Sequence, residues 1–332
     1  MPKSAKPAWT HRHLLGLENL SAAEIELLLD TADGYMPCVT HRRPCRPVLE
    51  GRTVLNLFCE NSTRTRTSFT FAAERLGARV FQFDTATSSL TKRESLHDTV
   101  QNIDAMGLDA IVIRHQEREA PHRVAEAVSC SVLNAGDDSH EHPTQALLDM
   151  LALRHTFGRL DGLTVAVVGD IRHSRVARSN LYALSKFGSR VVFVGPQVFL
   201  DGTEDIAAPF EHTTNFDKLL PECDAVMMLR VQFERHAGLE FDADEYKRGY
   251  QLTAARLARA KPGAVALHPG PVNRGLEITD EVCDGQRSVI LHQVTCGVAV
   301  RMAALSLCIT ALERERKCAC AAPKPRKRTS GR

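Results

Sequence analysis

The sequence predicts an α/β protein with two doubly wound domains, each built on a mainly parallel sheet with helices on both faces. Short runs rich in β-branched residues alternate with helical patterns along the whole chain, which is typical of strands joined by crossover helices. The strand-like runs are continuously apolar, as expected for strands buried on both faces. The length of 332 residues suits two domains of ordinary size.

The candidate strands fall into two sets of four, and a helical or loop segment follows each strand. A helix predicted from Pro143 to about Thr156 separates the two sets. Since consecutive strands usually belong to one sheet, we expect a domain boundary near residue 150 and helices that link the domains. The predicted strands are 52–58, 78–83, 109–114, 130–136, 163–170, 190–195, 224–230 and 263–268.

Composition favours a globular protein of the cytoplasm. Apolar residues make up 43% of the chain and charged residues 25%, and no apolar run is expected to reach the length of a bilayer span. The N-terminal segment lacks the apolar stretch and cleavage site of a secretory signal. The ten cysteines form no Cys-x-x-Cys pair, so we expect reduced, mostly buried thiols.

The formal net charge of +2 is unevenly distributed along the chain. Residues 317–332 contain six Lys or Arg and no acid, so residues 1–316 carry −4. Short basic ends that contain Pro are usually disordered and solvated. We therefore predict neither a nucleic-acid partner nor a membrane partner, and we assign this tail no function.

The segment after the first strand predicts an anion site. Ser62 and Thr63 are N-cap candidates for a helix that begins near Thr65. Unpaired N–H groups and the positive end of the helix dipole favour an anion there. Hydroxyl groups and the Arg64 guanidinium suit a phosphate, which accepts several charge-assisted hydrogen bonds. A capped helix with exposed arginines is the alternative interpretation.

Other polar residues also follow predicted strands, where open parallel sheets bind their ligands. His142 precedes Pro143 at a helix start, which disfavours the imidazolium and leaves a neutral ring able to donate to a carbonyl oxygen. Gln145 lies about one turn further and can hold a neighbouring amide. The remaining polar residues that follow strands are Arg114, His115, Asp170, His173, Arg175, Arg230, Gln232 and those of 268–275.

Several common site types are absent from the sequence. It has neither a G-x-x-x-x-G-K-[ST] loop nor a G-x-G-x-x-G turn, which argues against a nucleotide ligand. We predict no metal and no cofactor, because zinc-site spacings are lacking and "HEHP" (140–143) is better explained as a helix start. No Gly-x-Ser-x-Gly elbow is present. The remaining groups suit transfer between two bound substrates, by orientation and by polarising a carbonyl.

Six segments together resemble the catalytic chains of bacterial aspartate carbamoyltransferases, over about residues 10–315. The Ser-Thr-Arg-Thr-Arg and His-Pro-Thr-Gln elements are shared with ornithine carbamoyltransferases. The second half favours aspartate, because Arg175 and Arg230 suit a dicarboxylate and "HPGP" stands where ornithine enzymes carry His-Cys-Leu-Pro. The segments are "FCENSTRTRTSF", "HEHPTQALLD", "GDIRHSRVARSN", "LRVQFER", "HPGPVNRGLEI" and "VTCGVAVRMAAL".

The resemblance implies transfer of a carbamoyl group from carbamoyl phosphate to the α-amine of L-aspartate, in pyrimidine biosynthesis, without a cofactor. The implied catalytic residues are Thr65, Lys92, Arg114 and His142. The implied ligands of carbamoyl phosphate are Ser62, Thr63, Arg64, Thr65, Ser88, Lys92, Arg114, His142 and Gln145. The implied ligands of aspartate are Lys92, Arg175, Arg230, Gln232, Gly270 and Pro271.

The resemblance also implies domain limits and an assembly. Residues 1–147 would bind carbamoyl phosphate, residues 148–295 would bind aspartate, and a last helix over 296–316 would pack back on the first domain. Ser88 and Lys92 would enter the site of a neighbouring subunit in a homotrimer with shared active sites. A regulatory chain or a dihydroorotase is a further candidate partner that the sequence leaves open.

Two other functions fit the sequence. One is a carbamoyltransferase for another acceptor, such as ornithine. The other is a non-catalytic homologue that serves in a pyrimidine-pathway assembly. The complete set of ligand residues argues against a loss of activity. Arg93 is the one departure that argues for such a loss, because the family usually has a glycine there and glycine alone adopts positive φ freely.

Overall fold

The computed structural model describes residues 8–83, 94–203, 206, 208–231 and 242–321. The predictions for Ser88, Lys92, Arg93 and Gln232 lie outside the described residues, as does most of the basic tail. The elements of the first half are α1 Ala22–Thr40, β1 Thr53–Phe58, α2 Thr63–Arg75, β2 Arg79–Phe83, α3 Leu96–Asp104, β3 Ala110–His115, α4 Ala120–Ala127, β4 Ser131–Asp137 and α5 Pro143–Phe157.

The second half repeats the alternation of strands and helices. Two short 3-10 turns, Ser185–Phe187 and Leu220–Glu222, interrupt it. Its elements are β5 Thr164–Val168, α6 Arg175–Leu184, β6 Arg190–Val194, α7 Gln197–Leu200, β7 Glu211–Thr213, α8 Phe216–Leu219, β8 Ala225–Met228, α9 Ala243–Tyr250, α10 Ala254–Leu257, β9 Val265–Leu267, α11 Asp280–Cys283 and α12 Ile290–Ala321.

Both sheets are parallel, and the predicted fold class is confirmed. The first sheet has the strand order β2-β1-β3-β4 and the second has the order β7-β6-β5-β8-β9, with every described strand pair parallel. The order in which strands are added to each sheet changes direction between two neighbouring strands, β1 and β3 in the first sheet and β5 and β8 in the second. Ligands of open parallel sheets bind beyond the carboxyl ends of strands at such switch points.

Two linking helices join the sheets through one continuous core. Every residue from Pro143 to Leu153 of α5 is buried, and α12 packs against α1, α2 and α5. The largest apolar cluster extends from strands of the first sheet through α5 and α12 to strands of the second. The predicted position of the last helix, 296–316, lies within the observed Ile290–Ala321.

Helix α12 is long and apolar enough to cross a membrane by length and composition. The expectation that no apolar segment reaches that length is therefore wrong for this helix. Its surroundings are those of a core helix, however, because 78% of its most apolar stretch is buried inside the protein. Burial against three neighbouring helices explains why its sequence is apolar nearly all round.

Three details differ from the sequence predictions. Helix α2 begins at Thr63 and not near Thr65, because Ser62 takes the extended N-cap conformation. Strand β7 was not predicted, since "EHT" is short, polar and largely exposed at a sheet edge. The expectation of reduced cysteines is wrong for Cys38 and Cys45, whose sulfur atoms form a disulfide where the end of α1 turns back.

A buried carboxyl group, that of Asp149 in α5, joins the linking helices to the second sheet. It accepts hydrogen bonds from Gln145 Nε2 (2.9 Å), Gln293 Nε2 (2.7 Å) and Asn180 Nδ2 (2.8 Å). The Gln293 side-chain oxygen accepts in turn from the backbone N–H of His268. Complete burial raises the pKa of Asp149 to about 7, although its three amide donors act in the opposite direction.

The raised pKa of Asp149 predicts a stability contribution that falls with increasing pH. The folded protein holds this proton up to about pH 7, whereas an unfolded Asp loses it near pH ~3.9. The contribution is therefore complete below the unfolded value and is lost as pH rises through the folded value. Asp149→Asn does not titrate, so its free energy of unfolding relative to wild type should increase by ~1–3 kcal/mol between pH 5 and 8.

Urea denaturation of both proteins at the two pH values measures this difference. Asp201→Asn, at an exposed position, is the matched control and should show a nearly constant difference from wild type. A difference for Asp149→Asn that does not change with pH would contradict the buried titration.

Candidate active site

A cavity of about 800 Å³ lies where the carboxyl ends of the two sheets face each other. Its walls come from segments that follow β1, β3, β4, β5, β8 and β9, together with part of α12. The segments after both strands that flank each switch point contribute residues to the cavity, after β1 and β3 in the first sheet and after β5 and β8 in the second. All predicted site residues that the structure describes line this cavity, namely Ser62, Thr63, Arg64, Thr65, Arg114, His142, Gln145, Arg175, Arg230, Gly270 and Pro271.

The N-terminus of α2 forms one end of the cavity. Ser62 occupies the N-cap position, but its side chain makes no capping hydrogen bond, so its hydroxyl and the first N–H groups of α2 face the cavity together. No acidic residue lies in the first turn, which leaves the positive end of the helix dipole uncompensated. This arrangement suits an anion with several acceptor oxygens.

Arg64, in the segment that follows β1, lies close to residues of the second half of the chain. Partial burial and, next, the positive charge of Arg230 lower the pKa of Arg64. Gly270 has φ +67°, and a Cβ atom built on it would lie 3.2 Å from Arg64 Nε. A side chain at position 270 would therefore be strained and would also crowd the guanidinium. Glycine is favoured here for both reasons.

Glu60 is a cavity residue that the sequence reasoning missed. One of its carboxylate oxygens lies 3.1 Å from Arg114 Nε and 2.9 Å from the Arg175 guanidinium, and its other oxygen accepts from Arg175 at 3.1 Å. A carboxylate between two guanidiniums from the two halves of the chain offsets their mutual repulsion. The signal was present in "CENSTR", where an acid lies three residues before the first residue of a basic helix start.

His142 lies at the N-cap of α5 and is buried. Its backbone N–H donates to Ser179 Oγ (2.9 Å), whose hydroxyl donates to Glu141 (2.8 Å). Among the described residues its Nδ1 atom has no hydrogen-bond partner. Burial, followed by the charges of Arg114 and other nearby arginines, holds the pKa of His142 well below its usual value. The ring is therefore neutral at physiological pH, as the sequence predicted.

Gln145 and Arg301 complete the wall behind His142. The Gln145 amide nitrogen donates to Asp149, which directs the amide oxygen away from Asp149 and leaves it as an acceptor. Arg301 was missed by the sequence reasoning, because it lies within an apolar helix. It is 4% exposed, donates to Ser68 Oγ (2.8 Å) and stacks on Phe69. Burial lowers its pKa to about 10, so it remains cationic.

The cavity therefore combines positive charge with polarising groups. Five arginines line it, against the carboxylates Glu60 and Asp138 in the described part of the wall. A neutral imidazole and a fixed amide acceptor lie between the helix N-terminus and the arginines of the second half. Such a cavity can hold two anionic molecules and direct hydrogen-bond donors at a carbonyl oxygen that lies between them.

Comparison with known families gives matches over both halves of the chain. The carbamoyl phosphate binding domain of the aspartate/ornithine carbamoyltransferase family matches residues 12–155. The Asp/Orn binding domain of the same family matches residues 161–308. The two matches together cover most of the chain and meet at the end of α5.

Solved structures of both an aspartate and an ornithine carbamoyltransferase share this fold. Aspartate transcarbamoylase from Trypanosoma cruzi, in complex with carbamoyl phosphate and aspartate, superposes with a TM-score of 0.79 at 30% identity, covering 91% of this chain and 99% of that chain. Ornithine carbamoyltransferase from Pyrococcus furiosus has the same TM-score at 27% identity, covering 91% and 98%. The fold alone therefore does not distinguish the two acceptors.

Curated relatives at higher identity do distinguish them. The aspartate carbamoyltransferase catalytic subunit of Gluconobacter oxydans is 52% identical over 89% of this chain and 94% of that protein. The subunit of the same name from Myxococcus xanthus is 52% identical over 90% and 99%. The chain therefore belongs to the aspartate/ornithine carbamoyltransferase family and, within it, to the catalytic subunits of bacterial aspartate carbamoyltransferase.

Proposed function

We propose that this chain transfers the carbamoyl group of carbamoyl phosphate to the α-amino group of L-aspartate, giving N-carbamoyl-L-aspartate and phosphate. This reaction would be its step in pyrimidine biosynthesis, in the cytoplasm. The observation that carries the proposal is the single cavity in which the N-terminus of α2, the neutral His142 and the guanidiniums of Arg175 and Arg230 meet. The first element suits a phosphate and the last two suit a dicarboxylate.

Carbamoyl phosphate would bind at the first-sheet end of the cavity. Its phosphate would accept from the free N–H groups and hydroxyls of residues 62–65 and from Arg64. Its carbonyl oxygen would face Thr65, Arg114 and His142, and its amide N–H would donate to the Gln145 oxygen that Asp149 leaves free. The same substrate would also contact Ser88 and Lys92 of a neighbouring subunit.

Aspartate would bind on the second-sheet side. Arg175 and Arg230 would each hold a carboxylate, with Gln232, Lys92 and the backbone of Gly270 and Pro271 as further contacts. Arg175 must release Glu60 to hold a ligand with both terminal nitrogens, because one of them already donates to that carboxylate. Substrate binding thus exchanges an internal ion pair for an external one.

The reaction would proceed by direct attack of the aspartate amine on the carbamoyl carbon. A C–N bond forms, and negative charge collects on the carbonyl oxygen. Donation from Thr65, Arg114 and neutral His142 stabilises that oxyanion. The bond to the phosphate oxygen then breaks, and the departing phosphate takes the proton from the amine. No step requires a metal, a cofactor or a protein nucleophile.

The proposal extends to domains and assembly. Residues 1–147, with the last helix packed on them, would form the carbamoyl phosphate domain, and residues 148–295 the aspartate domain. The active unit would be a homotrimer with shared sites. Large apolar side chains of the first half are exposed, including Phe81 (55%) and Met106 (80%). A contiguous patch of such side chains would be typical of a surface that another subunit covers.

An acceptor panel tests the proposed activity. Phosphate release from carbamoyl phosphate should be fast with L-aspartate and at background level with L-ornithine, because Arg175 and Arg230 repel a cationic side chain. Arg230→Ala should lose the aspartate reaction while folding normally. Release with ornithine alone would establish an ornithine carbamoyltransferase, and release with neither acceptor would contradict the proposed aspartate activity.

Removal of an oxyanion donor should lower turnover without preventing binding. His142→Ala should reduce kcat by ~10²–10³-fold, since one such donor contributes ~3–4 kcal/mol. His142→Asn keeps a side-chain N–H donor and should lose less. Steady-state kinetics with saturating substrates measures both, and His41→Ala at an exposed position is the control. Unchanged turnover in His142→Ala would remove His142 from the oxyanion site.

Mixed trimers test whether active sites are shared. Lys92→Ala and Arg114→Ala chains should each be inactive alone, because each lacks a proposed contact to carbamoyl phosphate. Unfolding and refolding them together should restore part of the activity, since some hybrid sites then contain neither substitution. A chain that carries both substitutions, refolded with either single variant, is the control. Hybrid trimers that form without any activity would contradict shared sites.

A further inference from the structure

Three potential metal ligands converge outside the cavity, where the end of α5 meets the start of α12. They are His155 of α5 and His292 and Cys296 of α12, whose ligand atoms all lie within 4.8 Å of one another. His155 Nδ1 is 3.0 Å from His292 Nε2, and Cys296 Sγ is 3.5 Å from His292 Nε2 and 3.9 Å from His155 Nδ1. None of the three side chains lines the cavity described above.

These separations match the edges of a tetrahedral zinc site. Zinc binds imidazole nitrogen at ~2.0–2.1 Å and thiolate sulfur at ~2.3 Å. In a tetrahedron such bond lengths place two nitrogens ~3.4 Å apart and a nitrogen ~3.6 Å from a sulfur. The observed triangle therefore needs only shifts of a few tenths of an ångström to hold one ion at its centre.

A carboxylate already orients one of these ligands. The other ring nitrogen of His155, Nε2, lies 2.5 Å from Asp33 Oδ1 on α1. The second oxygen of Asp33 pairs with Arg154, which fixes the carboxylate in place. With its Nε2 proton donated to Asp33, His155 presents the Nδ1 lone pair to His292 and Cys296. A histidine that binds zinc usually donates its other ring N–H to a carboxylate or carbonyl in this way.

Helix geometry and exposure make this cluster accessible. His292 and Cys296 are four residues apart on α12, so their side chains lie on the same face of the helix. Cys296 is fully buried, whereas the His155 side chain is 27% exposed. An ion can thus enter past His155, and water can complete the coordination on that side.

We propose that His155, His292 and Cys296 bind one Zn²⁺ ion, with a water molecule as the fourth ligand. The ion would link α5 to α12 directly, and α1 would join them through the hydrogen bond between Asp33 and His155. Binding replaces the Cys296 thiol proton with a zinc–sulfur bond and releases that proton to solvent. Two imidazoles and one thiolate form a donor set that zinc favours over magnesium or calcium. The second cluster of His122, Asp137 and His140 is a poorer site, because the Asp137 carboxylate already accepts from Asn134 Nδ2 and from the backbone N–H groups of Glu119 and Glu141.

Metal titration of the full chain, freed of metal with a chelator, tests the proposal. Zn²⁺ should bind at about one equivalent and raise the thermal midpoint. Co²⁺ in its place should give the visible bands of a tetrahedral site together with a thiolate-to-cobalt charge-transfer band. Cys296→Ser should abolish the charge-transfer band, and His155→Asn should abolish tight zinc binding. Asp33→Asn should weaken zinc binding by ~10–100-fold.

Two control variants make the result specific. Cys308→Ser removes another buried thiol of α12 and should leave both metal signals intact. His122→Ala removes a ligand of the second cluster and should also leave them intact. The proposal is overturned if wild type shows no thiolate band, if Cys296→Ser keeps it, or if His122→Ala is the variant that loses binding. Because these measurements use no substrate, their outcome is independent of the carbamoyl transfer reaction.

Discussion

The complete burial of residues 143–153 of α5 is the constraint on which the rest of the structure depends. A helix with no exposed residue over its first three turns must find a partner within the protein for each polar group that it carries. Asp149 finds three amide donors, and the backbone N–H of His142 finds Ser179. Two of those partners belong to α6, the first helix of the second half, so polar contacts join the two halves of the chain in addition to apolar packing.

The same burial determines the chemistry of the site. A histidine in water is partly protonated near neutral pH, but His142 is buried beside arginines and stays neutral. Arg301, equally buried, retains its charge because a guanidinium is so basic that even a lowered pKa of about 10 leaves it protonated. One environment thus produces an uncharged donor and a permanent cation side by side, which is what a carbonyl between two anions requires.

Much of this could be predicted from the sequence, for reasons that particular elements make clear. Strands β1, β3, β5 and β8 were predictable because they are central and continuously apolar, and the polar residues that follow them fall into the cavity. The edge strand Glu211–Thr213 was not, since its side chains are exposed and polar. Glu60 and Arg301 were missed because an acid in a cationic site, or a cation in an apolar helix, has meaning only once its neighbours are known.

Contacts between side chains that are far apart in the sequence could not be predicted, for the same reason. His155 and His292 come together only because α5 and α12 cross, and no local spacing indicates that crossing. The Cys38–Cys45 disulfide depends on how the chain turns after α1. The start of α2 was misplaced by two residues because Ser62, Thr63 and Thr65 are all acceptable near a helix start, and only the backbone conformation of Ser62 decides among them.

Glu60 has a consequence for the selection of ligands. It is tethered within reach of Arg175, so for any anion that binds this arginine it acts as an intramolecular competitor at a high effective concentration. A ligand with one carboxylate gains one ion pair and breaks another, so the free-energy change of this exchange is close to zero. A ligand with two carboxylates also engages Arg230 and gains a net attraction. The protein's own carboxylate thereby sets a minimum charge that an acceptor must carry before it can occupy the cavity.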